Sequence, residues 1–460
     1  MTSLASRSPV VAAQPAVRTC HSSAVSGSEL SLVVMQVFPH RAVAILLLVA
    51  LAAYLVARGI VPAVTTVGSD FPSYFTAAKI VADGGSVERL YDIPWFQEQM
   101  RQYGIGKPSE GKFSPFPPPT ALLLVPLTQL GPLNALRVMT GVSVLCLIGS
   151  IVLLARILAW TAVDAALLVL LSGSAILGAL RLGQPYILVS ASCILGYYAY
   201  LRDRPWAAGA WFGLLTPLKY FPVVILIYFA FRRRWQVVVG GTLAILVISL
   251  ASIWVLGWKI HAQFLASILG NHLVARLSMQ DPYTATFQSF DTLFRRLFVY
   301  DAIANPQPLV AAPFLQAAGV LATKTGILLV TLAALVRLGR SRGARATAPS
   351  IGLLGIATLL LAPATATYHM VLLWLPVALL VDFFLRERAL GHAYLVLGSY
   401  ALIGFFPYRF TAPFEGRGGL SVFAYPRLLL LLAMFIACVH CLRNRAQLPH
   451  GTRADALPAH

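Results

Sequence analysis

Charge is what this chain has least of. Charged residues fill 11% of its 460 positions, and the acidic ones number only 16 against 35 lysines and arginines. A soluble globular domain is about one quarter charged, so a chain that is 58% hydrophobic with a mean hydropathy of +0.77 falls outside that class. Cysteine is sparse too. Cys20, Cys146, Cys193, Cys438 and Cys441 lie in the N-terminal tail or in apolar runs, none in a long loop, so no disulfide framework is implied. Cys438 and Cys441 are spaced like half of a metal site, but no second pair exists and one turn of an apolar helix accounts for them. Also missing are a glycine-rich nucleotide loop, His-Glu-x-x-His and Gly-x-Ser-x-Gly. Their absence argues against a soluble nucleotide donor. The formal charge of +19 does not point to nucleic acid, because the basic residues sit in short clusters at the ends of apolar runs, where they act as topology signals.

What the chain has in abundance is apolar runs of span length with mostly short connections. That pattern predicts an all-α, multi-pass integral membrane protein rather than a barrel. Such runs lie at 42–61, 135–157, 163–181, 185–201, 235–257, 313–336, 349–363, 368–385, 391–408 and 425–442. Residues 121–130 are too short to cross and predict a re-entrant or half-depth helix behind a proline-rich stretch. Residues 205–231 predict a broken hairpin turning near Pro217-Leu-Lys219, because Arg202 and Arg204 at one end and Arg232, Arg233 and Arg234 at the other both belong in the cytoplasm. The total is about 10–13 transmembrane or half-depth helices. The basic clusters place both termini inside and two long loops, 62–119 and 258–311, outside. A short interfacial helix is expected over 73–83 and a helical piece over Phe290–Phe298. Residues 1–40 are expected to form a disordered cytoplasmic tail, with Met35 as an alternative start to Met1. Residues 41–443 form one membrane domain, and 444–460 a cytoplasmic C-terminal tail.

Asp70 leaves the first apolar run at the water–lipid boundary, where a carboxylate can stay ionised and still reach a lipid head group. A membrane enzyme needs its base there; the competing reading is a solvated acidic residue of the kind common outside spans. The expected topology brings Arg181 and Gln184 in one outer turn, His369 in another and Lys219 at the hairpin tip to the same level. Arg295 and Arg296 in the second loop, and Arg409 after the 391–408 run, add cations for a phosphate. Each group has a plainer reading: Lys219 as a snorkelling or capping side chain, His369 as a packed hydrogen-bonding group.

Gly68-Ser-Asp70 with Tyr74 and Ala77-Ala78, Leu90-Tyr91-Asp92, Phe116-Pro-Pro-Pro-Thr-Ala, Gly183-Gln184-Pro-Tyr, Gly213-Leu-Leu-Thr-Pro-Leu-Lys219-Tyr-Phe-Pro222 and Tyr368-His369 follow one another in order. Together they resemble glycosyltransferase family 87, multi-pass enzymes of the GT-C type typified by polyprenyl-phosphate-mannose-dependent α-mannosyltransferases. The resemblance implies a GT-C-type bundle, a polyprenyl-phosphate hexose donor and a glycolipid or glycan acceptor outside the bacterial cytoplasmic membrane. It also implies inversion at the anomeric carbon; no cofactor is expected, and the charge of a leaving lipid phosphate can be balanced by Lys219 or an arginine without an obligatory metal. Asp70 matches the family's general base and His369 a histidine near its active site, while Lys219, Gln184 and Tyr74 carry over as donor or structural contacts. Pro185 and Phe287 depart from the asparagines common in the family, which leaves the sugar and acceptor open. An inverting transfer needs one carboxylate to take the hydroxyl proton, and a lipid phosphate leaves without a second acid. The rival readings are a transporter or flippase of a lipid-linked saccharide, suggested by the broken hairpin, and an inactive scaffold subunit.

Overall fold

The computed structural model describes residues 41–273, 281–338 and 345–447. The tail expected over 1–40 lies outside the described residues, as do 448–460 of the C-terminal tail. No β-sheet forms among the described residues. The first half of the chain contributes α1 (Arg41–Thr65), α2 (Phe71–Ala82), α3 (Ile93–Gln102), α4 (Pro132–Leu158), α5 (Ala162–Leu170), α6 (Ser174–Arg181), α7 (Tyr186–Leu201), α8 (Pro205–Leu214) and α9 (Val223–Phe231). Then come α10 (Trp235–Leu256), α11 (Trp258–Gln263), α12 (Gly270–Leu273), α13 (Phe290–Phe298), α14 (Pro313–Leu338), α15 (Ala348–Leu361), α16 (Trp374–Arg386), α17 (Leu390–Phe405) and α18 (Pro426–Gln447).

Among the described residues six helical stretches are long and apolar enough to cross a bilayer: α1, α4, α10, α14, Thr367–Arg386 ending in α16, and Pro426–Arg443 within α18. Two bent pairs, α5 with α6 at 71° and α17 with the turns that follow it at 91°, raise the number to eight if each is one span. Pro132, Pro205, Pro313 and Pro426 each stand at the first position of a helix. Proline suits that position because its fixed φ is helical and its missing N–H would have had no partner there.

Three expected elements take a different form. The run over 121–130 falls in two 3₁₀ segments, Pro118–Leu122 and Val125–Leu130, rather than one re-entrant or half-depth helix. Pro117, Pro118, Pro119 and Pro126 strip the stretch of the N–H donors an α-helix requires. The run at 163–181 is broken at Ser172 and Gly173 into α5 and α6, which turns α6 toward the end of α1. The helix expected over 73–83 is α2, but it does not lie on an open interface. Phe71, Tyr74 and Phe75 pack on Leu124, Leu136 and Met139, while Ala77 and Ile80 pack on Leu90, Phe96 and Phe113, so both flanks are buried.

The hairpin over 205–231 forms as expected, with α8 and α9 flanking a turn that carries Lys219. Its position is set by close backbone packing. A Cβ at Gly209 or Gly213 of α8 would overlap backbone atoms of Val237 and Gly241 on α10, and one at Gly240 would meet the Trp206 carbonyl. Small residues spaced by four let two helices approach until their backbones touch, the main packing device where lipid offers no hydrophobic drive.

Candidate active site

The exit from α1 is tied down first. Arg137 of α4 donates from Nε to the Val64 carbonyl at 2.9 Å, fixing the last turn of the span. Gly68 then runs so close to the α6 terminus that any Cβ would overlap the Arg181 carbonyl. Gly183, at φ +63°, turns the chain after α6 with its Cα against the Phe71 ring. These two glycines lay the Asp70 loop directly on the Gly-Gln turn.

Asp70 occupies the N-cap of α2, where an aspartate ordinarily accepts hydrogen bonds from its own helix. It makes no such side-chain bond. Asp92 shows the ordinary behaviour: at the N-cap of α3 it accepts from Trp95 N at 3.2 Å and pairs with Arg89. Asp70 Oδ2 instead accepts from Gln184 Nε2 at 2.7 Å. Gln184 Oε1 accepts from the Tyr74 hydroxyl at 2.8 Å, and the Tyr74 oxygen accepts from Lys219 Nζ at 3.2 Å. The polarity of this chain is forced. A carboxylate only accepts, an ammonium only donates, and the amide and hydroxyl between them can satisfy both in one orientation. Gln184 and Tyr74 are each 1% exposed, which places them behind Asp70 rather than in front of it.

Lys219 is buried, with its ammonium 4.7 Å from the Phe116 ring centroid, 4.9 Å from Tyr186 and 5.7 Å from Tyr74. The Phe116 ring stacks on Tyr74 at 4.3 Å, and its carbonyl accepts from the Tyr91 hydroxyl at 2.7 Å. The proline-rich stretch and the Leu90-Tyr91-Asp92 motif therefore act together, one as a wall of the lysine box and the other as its brace. Asp70 itself is half-buried. Burial pushes its carboxyl above the ordinary range, opposed by the Gln184 hydrogen bond, the charges of Lys219 and Lys112, and a bond to Ser69.

His369 stands on the 3₁₀ turn that precedes α16. Its Nδ1 accepts from Ala366 N at 3.0 Å, so a neutral ring carries its proton on Nε2 and presents a donor there. Tyr186 at 4.6 Å and Tyr368 at 4.8 Å meet the ring edge-on. The second loop fixes this turn: Gln288 N donates to the Thr365 carbonyl at 2.9 Å and Ser289 Oγ to the Pro363 carbonyl at 2.8 Å. Gln288 Oε1 accepts from Arg427 N at 3.0 Å, which anchors that loop to the start of α18.

The structure thus joins Asp70, Gln184, Tyr74 and Lys219 in one hydrogen-bonded chain, with His369 attached through Tyr186. Arg295 and Arg409 pack elsewhere, over the Tyr283 ring at 6.0 Å and the Phe410 ring at 5.0 Å. Arg296 pairs with Glu415 at 3.2 Å, and Arg181 is exposed at its turn. Sequence reasoning passed over Lys112, Phe116, Tyr186 and His272. Phe116 and Tyr186 stood inside quoted motifs, whereas Lys112, in the first loop, and His272, on α12, carry no local signal.

A family model for glycosyltransferase family 87 matches residues 115–363. No curated protein and no solved structure gives a match. The matched stretch holds Phe116, Gln184, Tyr186 and Lys219, while Asp70, Tyr74 and His369 lie outside it and are joined to it by the contacts above. It spans more than half of the 460 residues, and the chain belongs to glycosyltransferase family 87.

Proposed function

We propose that this membrane glycosyltransferase takes a hexose from a polyprenyl-phosphate donor and places it, with inversion, on a hydroxyl of a lipid or glycan acceptor. The reaction runs at the extracytoplasmic face of the bacterial cytoplasmic membrane, with Asp70 as the base. The observation that carries the reading is that Asp70 leaves its own helix uncapped and is held instead by a polar chain ending on a buried lysine. The acceptor oxygen attacks the anomeric carbon while its proton passes to Asp70. The bond from that carbon to the phosphate oxygen breaks on the opposite face, and its electron pair stays with the phosphate. Lys219 and the Nε2–H of His369 are the donors within the site that can offset the charge growing on the leaving phosphate.

The direct test is incubation of the detergent-purified protein with synthetic polyprenyl-phosphate mannose and extracted lipids. A new glycolipid is expected. Movement of a lipid-linked saccharide across vesicles with no new glycosidic bond from any donor would replace the transferase with a flippase, the reading the broken hairpin otherwise supports.

The acid limb of the pH profile follows from the burial of Asp70. A base works ionised, so kcat/KM falls as pH drops through its folded pKa, which burial raises. The limb is expected above the ordinary aspartate value of about 3.9; a limb at or below that value would remove Asp70 as the titrating base. Tyr74→Phe removes the middle link. Gln184 Oε1 then loses its donor and the amide is free to turn, so Asp70 is held less firmly. A loss of about tenfold in kcat, worth about 1.4 kcal/mol, is expected with an acid limb moved upward and a modestly lowered melting temperature, because buried Gln184 Oε1 and Lys219 Nζ each lose a partner. An unaltered pH profile would make Tyr74 a packing residue only.

A further inference from the structure

The stretch after α10 contributes a group to the site that the polar chain does not use. α11 and α12 are separated by a π-helical segment, Phe264–Leu269. The arm is fixed at its base, where His261 bonds Ser252 Oγ at 3.0 Å and the Gly257 carbonyl at 2.8 Å. Ile260 and Phe264 are buried among Leu90, Phe96 and Phe113 of the first loop. Its other face carries Trp258 and Leu265, exposed as side chains turned to lipid are, and Leu273 beyond them is exposed too. π-Segments inside helices recur at functional sites because they re-aim the turn that follows.

That turn presents His272. Its ring centroid lies 6.5 Å from that of Tyr220, the residue after Lys219, and its Nδ1 is buried with no hydrogen-bond partner. The other described histidines near the site differ. His261 uses both ring nitrogens on its own arm, and His369 has its Nδ1 filled by Ala366. A buried ring nitrogen left empty costs about 1–3 kcal/mol, a penalty that a bound substrate removes. We infer that His272 contacts the phosphate of the lipid-linked donor, donating from its ring to a phosphate oxygen on the side of Lys219 that faces lipid. This inference rests on the donor chemistry proposed above. It divides the site: Asp70 and Gln184 serve the acceptor hydroxyl, and the arm serves the leaving phosphate, whose polyprenyl chain passes the exposed faces of Leu265 and Leu273. Burial and the Lys219 charge push His272 down to about 4, so at neutral pH it is an uncharged donor rather than a cation.

The test compares wild type, His272→Ala and His272→Gln in steady-state transfer and in binding of polyprenyl phosphate without sugar. His272→Ala is expected to raise the donor KM about tenfold, the effect of one hydrogen bond to a charged group. Acceptor KM and melting temperature should stay unchanged, and inhibition by polyprenyl phosphate should weaken by the same factor. His272→Gln, which keeps a donor at similar reach, is expected to recover most of both. An unchanged donor KM, an effect on acceptor KM alone, or a lowered melting temperature that His272→Gln repairs without repairing phosphate binding would each overturn the assignment. Binding is read separately as the rise in melting temperature that polyprenyl phosphate produces. Should wild type transfer no sugar, the proposed function fails, yet equal stabilisation of wild type and His272→Ala would still decide against His272 on its own account.

Discussion

Asp70→Asn is expected to lower sugar transfer about 10²- to 10⁴-fold, the range general-base catalysis supplies, while leaving the protein folded. Asparagine matches aspartate in shape, and its Oδ1 can still accept from Gln184 Nε2. The α2 helix does not depend on the side chain, because Asp70 makes no cap bond to it. Replacing a half-buried carboxylate by a neutral amide also removes a desolvation penalty, so the melting temperature should hold or rise slightly. Donor binding should survive, since Lys219 and the rings around it are untouched. What is lost is the ability to take a proton at the moment the acceptor oxygen attacks. The measurement is product formation by both purified proteins from the same donor and lipid extract, beside a melting curve for each. Equal product from the two would sink Asp70 as the base. The residual rate of Asp70→Asn should also lack the acid limb of wild type, which separates loss of a base from a general fall in activity.

Lys219→Met is the second large effect, expected at about 10²-fold in kcat, the loss seen when one preorganised donor to a developing negative charge is removed. Methionine keeps the length and apolar stem of lysine among Phe116, Tyr186 and Tyr74, so the box remains filled. Two consequences follow from the missing charge. The leaving phosphate loses a counter-charge in a low-dielectric setting, where such a charge acts most strongly. Asp70 loses one of the charges that hold its pKa down, so its acid limb moves to higher pH than in wild type. The sign is specific: a lysine that merely capped the broken hairpin would change the melting temperature and leave the limb in place. Initial rates over pH for the two proteins decide between these, and an unmoved limb with full activity would remove Lys219 from the chemistry.

The hydrophobic runs were legible because a membrane span must be apolar over its whole length, and the broken hairpin because the arginine clusters at its two ends both favour the same face by the basic-residue bias. The helical piece expected over Phe290–Phe298 forms as α13, and the structure shows its N-cap Ser289 accepting from Thr292 N at 3.3 Å. The proline-rich stretch was misjudged in form, since hydropathy reports depth and says nothing of missing N–H donors. The bend between α5 and α6 was missed for a related reason: an apolar run reads the same whether it is straight or broken at Gly173.

By itself, then, the sequence determined that the chain is a helical membrane protein with Asp70 at the end of its first span and Lys219 at the tip of a broken hairpin. Local composition and charge decide those things. Only the tertiary structure decided that Gln184 and Tyr74 connect the two, and that His272 arrives from a distant arm. It also decided that Arg295 and Arg409 stand apart. Those outcomes depend on close approaches such as Gly68 against Arg181 and Gly209 against Val237. A linear sequence carries each glycine but not the backbone it will meet.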